Sequence, residues 1–247
     1  MSALGNEADF SQLFNPRASV SVLEFEGGRF CLVIDDALRE PERLVQYAAA
    51  SRDSFQPVDF SKYPGIYLHA PEAVAAGLTD YFQQRLRGRF DARRCLGAHL
   101  RLSLVTVLPA VLRPRQWFCH VDNRLLPPTE SMPASVLYLF KDEQLGGTGF
   151  YVPARPAAEI AAMLSAADSL PAEAFTQQFG LQPGYMHDSN AWFRRIGGVT
   201  AQWNRLIFYD GGMHHAAEIT HPERLSADPS VGRLTLNGFY TCRRHLA

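Results

Sequence analysis

The chain has 247 residues, of which 47% are hydrophobic and 20% charged, with a formal net charge of −1. That is ordinary for a soluble globular protein with enough length to bury a sizeable core. The near-neutral balance excludes the electrostatic footprint of a nucleic-acid or anionic-membrane binder, and no stretch approaches the ~18 uninterrupted apolar residues of a membrane span.

The first residues, MSALGNEADFSQLF, carry neither a basic n-region nor an apolar h-region, so no secretory signal is read there. Cys31, Cys95, Cys119 and Cys242 are widely spaced and form no CxxC pair. Free thiols in a reducing cytoplasm are the expectation. Residues 28–36 (GRFCLVIDD) predict a strand, and 38–51 (LREPERLVQYAAAS) a helix with Pro41 in its first turn. Helical spacing over 69–90 predicts a second, longer helix. The basic run RLRGRFDARR (85–94) reads as a solvated face or helix end.

The texture then changes to short β-branched or aromatic runs separated by Pro and Gly. HLRLSLVTVLPA (99–110), RQWFCHVDN (115–123), ASVLYLFKD (134–142) and GTGFYVPA (147–154) predict four strands. Two short helices follow at 156–170 and 171–180, the second closed by Gly180. Strands resume at 204–211 and 232–243. The order predicts one domain over 1–247: an α/β lead-in with supporting helices (28–98), core strands (99–154 and 203–243), and a helical insertion (155–200).

Three groups of residues carry the chemistry. In an extended chain His120 and Asp122 project from one face, a pair that alone is weak because a chain with 8 His produces such triplets by chance. Downstream, NRLIFYDGGMHHAAEI (204–219) runs from a strand through a Gly-Gly turn into paired histidines. Two imidazoles and one carboxylate make a facial ligand set with open positions, and only one of His214 and His215 can point inward. In GRLTLNGFY (232–240), Arg233, Thr235 and Asn237 share a face. A guanidinium beside a hydroxyl suits a bidentate carboxylate, and burying it without a counter-charge is otherwise costly.

With those residues in view, the chain resembles the Fe(II)/2-oxoglutarate-dependent dioxygenases. Their motif HxD…H…RxS/T is matched by His120-Val121-Asp122, His215 and Arg233-Leu234-Thr235. His215 fits the family's H-[SA]-[GA] step with Ala216 and Ala217; His214 does not, and would sit at the rim. SVLYLFKDEQLGGTGFYVP (135–153) and VIDDALREPERL (33–44) look like the prolyl-hydroxylase branch, with Phe140 where that branch often has Asn. YPG (63–65), GGTGFY and GRLTLNGFY are similar to an uncharacterised bacterial subgroup.

The resemblance implies a mainly β fold: a double-stranded β-helix (jelly-roll) core, N-terminal helices packed on it and a helical insertion between core strands. It implies Fe(II) on His120, Asp122 and His215, and 2-oxoglutarate as co-substrate held by Arg233, Thr235 and Tyr138. It implies hydroxylation of an unactivated C–H bond in a small molecule, amino acid or peptide side chain, with succinate and CO2 as co-products. The Asp at 122, which halogenating members lack, favours that outcome. Specificity would lie in RLLPPTESMPA (124–134), a candidate lid, and in 155–200. Trp192, Phe193 and Trp203 either line a cleft or, preferred, seat the insertion. A non-catalytic ligand-binding jelly roll and a cupin-type metal enzyme without 2-oxoglutarate are the rival readings. The oligomeric state, homodimer included, stays open.

Overall fold

The computed structural model describes residues 10, 12–57, 63–122 and 126–245. Among these, twelve strands run in chain order: β1 (Val20–Phe25), β2 (Arg29–Ile34), β3 (Gln56–Pro57), β4 (Gly65–His69), β5 (Ala92–Val105), β6 (Glu130–Ser131), β7 (Pro133–Tyr138), β8 (Thr148–Pro153), β9 (Phe193–Val199), β10 (Leu206–Asp210), β11 (His214–Ala217) and β12 (Leu234–Arg244). Four α-helices accompany them: α1 (Glu42–Ala50), α2 (Glu72–Tyr81), α3 (Ala157–Ser169) and α4 (Ala172–Phe179). The large sheet has the order β1-β2-β10-β7-β12-β5-β4-β3, with β6 also on β12, and the small sheet the order β11-β8-β9. Every described pairing is antiparallel. From β7 onward the chain passes back and forth between the sheets, which is the jelly-roll arrangement the resemblance implies.

Two central strands of the large sheet, β5 and β12, are apolar on one face and carry polar side chains on the other because they alternate. Leu100, Leu102 and Leu104 of β5, with Leu234, Leu236 and Tyr240 of β12, pack beneath Leu44 of α1 and Leu78 of α2. The intervening residues Arg101, Ser103, Thr235 and Asn237 turn the other way and line a cavity. A period of two therefore sorts one strand into core and site. Burying these apolar side chains is worth roughly 1.5–3 kcal/mol each.

The helix over 69–90 is shorter than its spacing predicts. α2 ends at Tyr81, and the chain continues as a π turn (Phe82–Leu86) and a 3-10 turn (Arg87–Phe90) that ends on Asp91 at φ +50°. Phe82, Leu86 and Phe90 are all buried, and the Phe82 ring stacks on Tyr240 at 4.6 Å. Packing thus overrides helical regularity here. The basic run 85–94 straddles this ending and the start of β5.

Residues 115–122 do not form the expected strand, whose last residue, 123, lies outside the described residues. Pro114–Gln116 make a 3-10 turn, and Trp117, Phe118 and Cys119 are buried in succession, which alternating faces do not allow. The expected insertion at 155–200 holds α3 and α4 and then β9, a strand of the small sheet. Pro171 separates the helices, and Gly180 caps α4 at φ +68°, as its sequence predicts. Trp192 donates Nε1–H to the Phe179 carbonyl at 2.9 Å, and Phe193 packs on Phe118. These rings seat the helices; Trp203 lies by Lys141 against the large-sheet core.

One residue ties the lead-in to the core. Asn204, at φ +62°, accepts the Leu38 N–H at 2.9 Å and donates to the Leu38 carbonyl at 2.8 Å. Asn204→Ala loses both buried bonds and strains a left-handed residue, at a cost of about 2 kcal/mol. Asn204→Gly restores the backbone freedom and should lose less. Urea unfolding of the two variants separates the contributions, and equal losses would show that backbone strain plays no part.

Candidate metal centre and its cavity

His215 is the second residue of β11, and His120 faces it across an isolated bridge. The His120 N–H donates to the His215 carbonyl at 3.0 Å, and the His215 N–H returns the bond at 2.9 Å. Two residues on, the Asp122 N–H donates to the Gly211 carbonyl at 2.7 Å. His120 and Asp122 thus reach the same place, although no regular strand carries them. His215 Nδ1 lies 2.9 Å from the Met213 carbonyl, which fixes a tautomer with the Nε2 lone pair free.

The ligand atoms of His120, Asp122 and His215 all lie within 4.8 Å of one another. Asp122 sits between the imidazoles, Oδ1 3.6 Å from His120 Nε2 and Oδ2 3.5 Å from His215 Nε2. Those separations exceed a hydrogen bond. They lie close to the roughly 3.0–3.5 Å that separates donors held about 2.1 Å from a common ion. The donor set, two neutral imidazoles and one carboxylate, therefore fits a divalent transition metal. His214 turns the other way, its ring 5.3 Å from Phe193.

Gly211 matters to this placement. A Cβ there would meet the Met132 carbonyl oxygen at 2.6 Å and Asp122 Cβ at 3.2 Å. Gly211→Ala should push Asp122 aside and weaken metal affinity about tenfold, the scale of a ligand-orienting contact. A calorimetric metal titration with unchanged affinity would show that Asp122 can absorb the shift.

The cluster opens into a cavity of about 550 Å³ between the two sheets. Arg233, 3% exposed, lies within it. Its Nε donates to the Leu145 carbonyl at 2.9 Å and its Nη2 to the Gly146 and Gly147 carbonyls at 3.1 and 2.9 Å, while the guanidinium covers the Phe140 ring. Phe140, at a position where the resemblance leads one to expect Asn, thus supports the arginine. Among the described residues no carboxylate pairs with Arg233; its neighbours are the phenols of Tyr138, Tyr63 and Tyr185. Burial lowers the Arg233 pKa and raises all three tyrosines, so the phenols stay neutral donors.

Thr235 is buried beside Arg233 and lines the cavity as its spacing predicts. Tyr138 stands one step back. It is fully buried, and its hydroxyl pairs with Thr148 Oγ1 at 2.8 Å, so Thr148 presents that pair to the cavity. Tyr63 and Tyr185, not singled out from sequence as site residues, do line it. The YPG run at 63–65 was the available signal for Tyr63; nothing local marks Tyr185. Of the candidate lid at 124–134, residues 124 and 125 lie outside the described residues. Its far end forms β6 and the start of β7, and Met132 reaches the cavity.

A jelly roll with a two-histidine, one-carboxylate cluster in its cavity is the class of protein that fold and site define. The chain belongs to the family described as a family of unknown function (DUF6445), whose model matches residues 16–240. No curated protein sequence matches it. Among solved structures it is similar to a Pseudomonas putida prolyl-4-hydroxylase, at 15% identity and TM-score 0.42 over 83% of this chain and 88% of that one. It is also similar to HygX from Streptomyces hygroscopicus with nickel and 2-oxoglutarate bound, at 10% identity and TM-score 0.45 over 86% and 82%. A third is EvdO2 from Micromonospora carbonacea var. aurantiaca complexed with 2-oxoglutarate, at 10% and 0.42 over 93% and 96%. At such identities no residue role transfers from these proteins. No described helix is long and apolar enough to cross a membrane.

Proposed function

We propose that this protein is an Fe(II)- and 2-oxoglutarate-dependent oxygenase that hydroxylates a C–H bond of a small molecule. One observation carries this above the rivals: three side chains able to hold a metal, and a buried guanidinium with no carboxylate partner among the described residues, line the same cavity. A cupin-type site has no use for the arginine, and a plain binding barrel has no use for the three donors.

His120, Asp122 and His215 would hold the iron, and Asp122 would offset one of its charges. Arg233 would receive the distal carboxylate of 2-oxoglutarate on the guanidinium edge not spent on the Gly146–Gly147 turn, with the Thr235 hydroxyl beside it. Tyr138 is a positioning residue that orients the Thr148 hydroxyl. Phe118, Val121, Met186 and Tyr209 would keep water from the reacting centre. Bound together, iron and 2-oxoglutarate supply the activation of dioxygen, leaving succinate and CO2 as co-products.

The test is the visible charge-transfer band that forms when a keto acid chelates Fe(II), measured anaerobically. A band in the wild-type protein supports the cofactor pair. Iron-loaded protein with no band at saturating 2-oxoglutarate overturns it.

A further inference from the structure

The cavity holds a second cation that the cofactor pair leaves unused. Among the described residues its lining has two arginines, Arg233 and Arg101, against a single acid, Asp122. Arg101 projects from β5 between two aromatic rings, 5.4 Å from the Tyr67 centroid and 5.0 Å from Phe239. Stacking between ring faces fixes a guanidinium while leaving its in-plane N–H groups for a ligand. Among the described residues no carboxylate pairs with it. Arg101 is half-buried, and held in this way, with no described carboxylate beside it, it is arranged to receive an anion.

Sheet register separates the two cations. Thr235 pairs with Ser103 and Asn237 with Arg101, so Arg101 lies level with a residue four places along the chain from Arg233. At ~3.3 Å per residue that is about 13 Å along the wall. A ligand anchored on Arg233 and chelating the metal does not also satisfy Arg101. Beside Arg101, the Asn237 Oδ1 is buried without a hydrogen-bond partner, an acceptor for an N–H or O–H of a ligand whose carboxylate sits on the guanidinium.

We propose that Arg101, with Asn237 beside it, forms a substrate subsite that binds a carboxylate, so the oxidised substrate is a small carboxylic acid. The proposal rests on the reading of this cavity as the oxygenase active site. Carboxylate is favoured over phosphate on charge. His99 lines the cavity on the same face and His69 stands opposite Arg101 on β4; burial, then the Arg101 and His69 charges, lower the His99 pKa. His99 adds no second positive charge at neutral pH, and a single guanidinium edge matches a planar monoanion.

The test uses full-length protein with anaerobic Fe(II) and saturating 2-oxoglutarate, and metal-free protein in parallel. The probes are free and N-acetylated amino acids and simple aliphatic and aromatic acids, each paired with its primary amide and a matched phosphate monoester. Binding is read by ligand-observed NMR. At least one acid should bind at least tenfold more tightly than its amide, lose at least tenfold in affinity in Arg101→Gln, and regain part of it in Arg101→Lys. Acids and amides binding alike, preference for the phosphate monoesters, no acid binding, or Arg101→Gln binding as well as wild type each overturns the proposal. The charge-transfer band is recorded on every wild-type sample. If it is absent, the iron and 2-oxoglutarate assignment fails, while the metal-free arm still decides the Arg101 subsite.

Discussion

Asp122→Ala is expected to lower Fe(II) affinity by more than about a hundredfold, beyond the 10–100-fold cost typical of losing a mere supporting contact. The carboxylate lies between both imidazoles, and its removal leaves two neutral donors facing a dication. Charge, not bulk, sets the size of the effect. Asp122→Asn keeps the shape and should lose nearly as much, because an amide oxygen offsets no cationic charge. Anaerobic titration calorimetry with Fe(II) measures both. Asn binding metal as well as Asp does would mean that the carboxylate is not a ligand.

Arg233→Met is expected to do two things that one assay cannot separate. It removes the cation proposed to anchor 2-oxoglutarate, so affinity for the keto acid should fall about a hundredfold or more, the scale of losing a desolvated charge pair. It also strips the Leu145, Gly146 and Gly147 carbonyls of their donor. Leaving such groups unsatisfied costs about 2–4 kcal/mol in all. Urea unfolding without ligand reads the second loss; the charge-transfer titration on still-folded protein reads the first. Lysine should not rescue either, since an ammonium cannot span three carbonyls and a carboxylate together. Stability lost with keto-acid affinity intact would make Arg233 a brace for the turn and nothing more.

How far the sequence could be read depended on whether local pattern or tertiary packing set the geometry. GRLTLNGFY alternates strictly, so the side of β12 that faces the cavity follows from spacing alone, and Arg233, Thr235 and Asn237 all line it. α3, α4 and the Gly180 cap were legible because Pro and Gly mark their ends. RQWFCHVDN misled because its apolar run suggests a strand, whereas three successive residues are buried and the backbone turns. His120 and Asp122 converge all the same, since backbone bonds to His215 and Gly211 place them. β1 keeps mostly exposed side chains, and β11 has only four residues; neither leaves a pattern strong enough to register. Tyr63 and Tyr185 reach Arg233 from distant segments, a meeting that only the folded chain displays.

The bridge between His120 and His215 has a consequence for local fluctuations. Each residue closes the other's amide bond, and no neighbouring rung of a ladder supports the pair. Opening the bridge exposes both amide hydrogens in one event: the His120 segment moves away while His215 stays paired with Phe150 of β8 on its other edge. Local openings of this kind occur well below the free energy of global unfolding. Amide hydrogens at 120 and 215 should therefore exchange at a common rate, slowed together when a metal ion ties the two rings across the gap.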